Sequence, residues 1–311
     1  MSIQLNNLVK NFDKNLEYYK KRNNNYNEAD TRKEYIDPFF ELLGWDLINR
    51  NEVKPEFREV LLENYINEGQ KPDYTFTLNG VSKFFVEAKK PSVDITTDFD
   101  SVFQARKYGW SASHPVVVLT NFEYLLIYDT TIPPHYNDSI NVGLIKKYHF
   151  KDYKKYWNEI NSLLSRKIVY KGEFEEKFNF LLKKEKYINV DDHFLKQINE
   201  WRIKLANYLY KEEHELSSEL INDLTQQFIN QIIFLRICED RNLPLYHKLQ
   251  ETIDNADKVQ EKLMEVFKHA DNKYNSGLFS GEYIIFDLDN EVIMEMIKKL
   301  YYPQSPYAFS V

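Results

Sequence analysis

Apolar positions recur at helical spacing towards both ends of the chain and alternate in between. Leu5, Leu8, Val9, Phe12, Leu16 and Tyr19 fall on one side of a helix predicted over 5–19. After a polar stretch at 22–27, Tyr35, Ile36, Phe39, Phe40 and Leu43 predict a second helix over 28–43. Pro38 is an expected kink in it and Gly44 its C-terminal cap. Residues 46–70 are mixed, with room for a short strand and a turn. The period then changes to two: Tyr74, Phe76 and Leu78 alternate with Asp73, Thr75 and Thr77. Asn79-Gly80, a two-residue hairpin signal, leads into a second strand over 83–89. Past Lys90-Pro91 the pattern predicts a helix at 98–110, a buried strand at 115–120 and another strand at 123–128. From about 151 strand patterns nearly vanish, and helices are predicted at 151–166, 173–186, 194–211, 215–239, 256–270 and 288–301. This order predicts an α/β domain with a mixed central sheet flanked by helices, followed by an all-α domain. The division is placed at 165/166, giving domains 1–165 and 166–311.

Composition narrows the class. With 43% apolar residues and few glycines and prolines, the 311-residue chain has enough material for two packed cores. The net charge of −7 does not announce a polyanion partner, but charge is local: 146–186 holds 12 Lys/Arg against 6 Asp/Glu, a phosphate-facing surface or a solvated helical face. Cys238 is the single cysteine, so no intrachain disulfide can form, which fits a reducing cytoplasm. It lies in an apolar helical run and reads as core filling. There is no signal-peptide pattern, and no apolar stretch approaches a membrane span. No histidine or cysteine spacing fits a metal site, and the phosphate-loop and dinucleotide-binding glycine patterns are missing.

The chemistry lies in the hairpin. Side chains two apart on a strand share a face, so Glu87 and Lys89 point the same way, and the hairpin folds Asp73 back beside them. Hydrolysis of a phosphodiester needs its developing negative charge neutralised and a water activated, which hard divalent ions held by carboxylates accomplish. Magnesium takes oxygen ligands and keeps several waters, so Asp73, Glu87 and the main-chain carbonyl of Ala88 make a sufficient set, with Lys89 at the attacking water. The competing reading is a solvated hairpin with an ion pair on its outer face.

Pro72-Asp73 followed by Glu87-Ala88-Lys89 resembles the PD-(D/E)xK nuclease superfamily, which implies a restriction-endonuclease-like core, Mg2+ bound by Asp73 and Glu87, and catalysis assisted by Lys89. Gln104 and Tyr108, on one face of the next helix, resemble the QxxxY helix of RecB-type nucleases and restriction subunits, where the glutamine lies beside the active site. Glu28 to Arg32, with Tyr35 to Pro38 and Leu43-Gly44-Trp45, is similar to the opening helix of restriction nuclease domains. The resemblance makes Glu28, with Glu34 as runner-up, the acid that completes the metal site; a plain helix-start acid is the alternative. Ordinary helix packing is the alternative for Gln104 and Tyr108.

Residues 228–244 resemble the helical connector after the nuclease domain of type IIG restriction-modification enzymes, single chains that join nuclease, connector, adenine methyltransferase and target recognition. A plain amphipathic helix is the alternative, in which Arg236, Glu239, Asp240 and Arg241 form only surface ion pairs. The aromatic close of the chain, 300–311, resembles the junction before the methyltransferase, so the chain is expected to be part of a longer protein. No Asn-Pro-Pro-Tyr or Asp-Pro-Pro-Tyr and no glycine-rich S-adenosylmethionine loop is present, so methylation and target recognition are expected to reside in those missing C-terminal domains. The resemblance implies a Mg2+-dependent endonuclease acting on double-stranded DNA, with transient self-association on DNA for double-strand cutting and no membrane partner. The nuclease portion of a type I restriction subunit, and a non-catalytic DNA-binding or assembly module on the same fold, are the alternatives.

Overall fold

A computed structural model of the chain describes residues 3–21, 25–62, 72–182, 189–212, 216–244, 248–254, 256–280 and 288–309. It forms two compact units, whose described parts lie within 3–182 and 189–309.

The first unit is built on a six-stranded sheet in sequence order: β1 (Val60–Leu62), β2 (Tyr74–Leu78), β3 (Val81–Ala88), β4 (Val116–Thr120), β5 (Tyr124–Asp129) and β6 (Leu144–His149). All neighbours are antiparallel except β3 and β4, which run parallel. A parallel step needs a crossover, and α4 (Phe99–Ser111) supplies it. Its first turn is capped by Asp98, whose side chain accepts from the Ser101 amide. The β2–β3 turn has Asn79 at φ 51° and Gly80 at φ 78°, the two left-handed residues of the turn that best matches strand twist.

Alternation sorts the sheet into two faces. Phe76, Phe84, Val86, Val118 and Ile127 point to one core, shared with Phe12 of α1 (Ile3–Tyr19) and Phe39 and Phe40 of α3 (Asp37–Leu42). The other face carries Phe85, Glu87, Val117 and Leu119, and α4 lies against β3 and β4. The helix expected over 28–43 is α2 (Glu28–Thr31), a π-helical turn (Arg32–Ile36) and α3 in succession. The π turn ends at Ile36, so the donor-less nitrogen of Pro38 falls in the first turn of α3.

The division between the units falls later than 165/166. After α5 (Tyr153–Leu164) come α6 (Arg166–Tyr170) and α7 (Glu173–Leu182), and Val169, Phe174, Phe178 and Leu181 complete the core under the sheet. Strand β6 was not expected either. The expected helical residues 183–186 and residues 63–70 of the mixed stretch before the hairpin lie outside the described residues.

The regular elements among the described residues of the second unit are helices: α8 (Val190–Glu212), α9 (Ser218–Asp240), α10 (Lys248–Glu251), α11 (Val259–Tyr274) and α12 (Asn290–Lys298). Trp201, Phe228, Ile232, Leu263, Phe267 and Ile293 form its core, and Cys238 is buried in α9. Arg236, Glu239 and Asp240 are buried and not surface ion pairs; Arg241 is exposed. Arg236 donates to the Leu300 carbonyl (2.9 Å) and pairs with Asp240. Glu239 accepts from the Leu249 amide (2.7 Å) and from the Tyr301 hydroxyl. Asp240 accepts from the Phe309 amide (2.9 Å). Three buried charges thus fasten residues 300–309 to the end of α9. Among the described residues no helix is long and apolar enough to cross a membrane.

Candidate active site

Asp73 and Glu87 meet at one end of the sheet. Tyr74 pairs with Val86, so one step further Asp73 stands opposite Glu87, and opposite residues of an antiparallel pair share a face. Asp73 is buried and both its oxygens are engaged: Oδ2 accepts from the Ala88 amide (2.7 Å) and Oδ1 from Arg32 Nη1 (2.8 Å). The second Arg32 nitrogen donates to the Asp73 carbonyl (3.1 Å), and the guanidinium lies 4.6 Å from the Tyr74 ring centroid. One arginine therefore holds both ends of residue 73.

Glu87 is 2% exposed, and its Oε1 accepts from Lys89 Nζ at 2.6 Å. Its Oε2 is buried without a hydrogen-bond partner. Burial, and then the Asp73 charge, push the Glu87 carboxyl up to about 8, against the pull of Lys89. Burial also raises Asp73, while Arg32 opposes the shift. For Lys89 burial acts downwards, but Glu87, Glu28 and Asp73 outweigh it and the ammonium is favoured.

Glu28, at the start of α2, shares this field: burial and then Asp73 raise its carboxyl, against Lys89 and Arg32. Glu34 is exposed and accepts instead from the Tyr26 hydroxyl (3.1 Å). Gln104 and Tyr108 do share a face of α4, where the glutamine Nε2 donates to the tyrosine hydroxyl (3.1 Å) rather than to Asp73 or Glu87. Arg32 escaped the sequence reading, although it stands one helical turn from Glu28, on the same face.

Among the described residues, no three His, Cys, Asp or Glu side chains stand close enough together to hold a metal ion on their own. Two carboxylates and a main-chain oxygen remain. Glu87 Oε2 is an acceptor with nothing to accept from, each Asp73 oxygen retains a lone pair beyond its single donor, and the Ala88 carbonyl points to the side of the strand where its N–H meets Asp73. This donor set fits a hard divalent cation that keeps its remaining waters.

The class of protein to which this chain is similar is that of the restriction enzymes: residues 59–136, from the start of β1 to beyond β5, match the family of the Type I restriction enzyme R protein N terminus. Over 99% of its length the chain is 43% identical to the Type II restriction enzyme and methyltransferase RM.Eco57I of Escherichia coli. It spans 31% of the length of that protein. No solved structure matches.

Proposed function

We propose that the chain is the Mg2+-dependent endonuclease portion of a type IIG restriction-modification enzyme, with a PD-(D/E)xK core in the first unit and a helical connector in the second. The observation that carries this reading is the buried, unpartnered Glu87 Oε2 beside Asp73 and Lys89. Burying a carboxylate without partners is costly, and such a group is retained where a cation completes it.

In this reading Asp73, Glu87 and the Ala88 carbonyl would hold the ion, and Glu28 would complete the site. The ion, when bound, supplies Lewis-acid stabilisation of the phosphate charge and a more acidic water. Lys89, now holding Glu87 Oε1, donates from Nζ to the attacking water or to a phosphate oxygen and stabilises charge as it develops there. Arg32 keeps the Asp73 carboxylate oriented. Gln104, on the helix beside β3, orients the lysine, the water or the phosphate after exchanging its Tyr108 partner. In-line attack on duplex DNA leaves 5′-phosphate and 3′-hydroxyl ends. Methylation and target recognition belong to the part of the longer protein outside this chain, and self-association on DNA provides the second cut.

The test uses the complete enzyme. Asp73→Ala, Glu87→Ala and Lys89→Ala are each expected to abolish DNA cleavage and leave methylation intact; wild-type cutting by any of them refutes the site. The family matched by 59–136 keeps a second reading in view, the nuclease portion of a type I restriction subunit. A helicase-type phosphate loop downstream of residue 311 in the gene would favour it, whereas a methyltransferase motif there would favour the first.

A further inference from the structure

The end of the sheet that carries Glu87 and Lys89 continues across two more strands. Register links Glu87 to Leu119, Leu119 to Leu126 and Leu126 to Lys147, one cross-strand row on the face of the acid pair. Tyr124 and His149 pair with each other one row nearer the end, on that same face. The two lysines adjacent in β6 therefore part company. Lys146 shares the opposite face with Ile127 and reaches Glu159 Oε1 of α5 at 2.6 Å. Lys147 is exposed, has no carboxylate partner among the described residues, and sits 4.9 Å from the centroid of the Tyr124 ring. The Tyr124 ring in turn lies 5.0 Å from His149. Nearby, Lys20 pairs with Glu123 (2.7 Å) and Lys151 with Asp13 (3.4 Å), and Asp152 acts on His149.

Three strand spacings of about 4.8 Å put it about 14 Å from Glu87, the rise of roughly four base-pair steps at about 3.4 Å. We propose that Lys147, seated on the Tyr124 ring beside His149, binds a backbone phosphate of the duplex DNA whose scissile phosphate lies at Asp73, Glu87 and Lys89. The surface rests on the nuclease reading above for its choice of partner. A lysine held over a ring has already given up much of its rotamer freedom, and its ammonium displaces a condensed counterion when it meets a phosphate.

Counterion release makes the contact measurable. Binding of the 311-residue chain to a fluorescent DNA duplex is followed against salt in EDTA, which silences the metal chemistry. Lys147→Ala is expected to reduce the slope of log affinity against log salt by about 0.9, so that between about 50 and 200 mM the wild type loses about threefold more affinity than the variant. Lys147→Arg should keep the wild-type slope, and so should Lys146→Ala, one residue away on the other face. An unchanged slope for Lys147→Ala, an equal loss for Lys146→Ala, or no salt-dependent binding by the wild type overturns the proposal. The cleavage test is separate: if the Asp73, Glu87 and Lys89 variants cut normally while Lys147→Ala flattens the slope, the catalytic site falls and the phosphate contact stands.

Discussion

Glu87 gives the site a pH signature. Its folded carboxyl titrates near 8, above the ordinary 4.5, so the folded protein holds that proton more tightly than the unfolded chain. The stabilisation is complete below about 4.5 and is lost as pH rises through the folded value. Asp73 and Glu28 shift in the same direction. His114 shifts the other way: burial and Lys83 lower it to about 4 from 6.5, so its contribution is lost as pH falls below 6.5. Between about pH 6.5 and 8 the carboxylates therefore decide, and the melting temperature in EDTA should fall across that window. Glu87→Gln should flatten the fall and added Mg2+ should offset it; a melting temperature that rises with pH in EDTA contradicts the assignment. Asp73, Glu87 and Lys89 were legible in one dimension because a strand period and a two-residue turn convert spacing into proximity. Arg32 was not, because nothing in the sequence ties position 32 to position 73.

Helix α4 is the element whose placement the site depends on. A β-carbon added at Gly109 would come within 2.7 Å of Thr130 Cγ2 and 2.8 Å of its Oγ1. Thr130 cannot yield readily, since it is buried and its hydroxyl donates to the His114 carbonyl at 2.7 Å. Alanine would gain up to about 1 kcal/mol in helix propensity, but overpacking costs about 1–3 kcal/mol. Gly109→Ala is thus expected to lower stability, seen as a lower urea midpoint at unchanged slope. The elements the sequence revealed best are those with one unbroken period, such as α1 and the β2–β3 hairpin, or a short run set off by turn signals, such as β4 and β5. Strand β6 was hidden by its lysine doublet and by a register shift between Ile127 and Tyr128, which together erase the alternation. The π turn was hidden because one extra residue in a helix barely changes which positions look apolar.

At the scale of the molecule, the two units keep separate cores. Helical periodicity from 151 onwards, with the division placed at 165/166, made α6 and α7 look like part of the second unit. Period alone does not say which core an apolar stripe joins, and theirs joins the sheet. Within the second unit, removing Arg236 leaves Glu239 and Asp240 buried with less compensation, a change of about 3–5 kcal/mol. Arg236→Ala should speed hydrogen exchange of α9 amides by a corresponding factor and leave β3 and β4 amides of the first unit as they were. Equal loosening of both units would show that the cores unfold as one.

The antiparallel pairing of Tyr74 with Val86 has a consequence for the evolution of this chain. Inserting or deleting a single amino acid between Val81 and Val86 would invert every side chain beyond the lesion, sending Glu87 and Lys89 to the face of Phe84 and moving Val86 to the face that α4 covers. Indels of one residue in this part of β3 should therefore be purged among functional descendants.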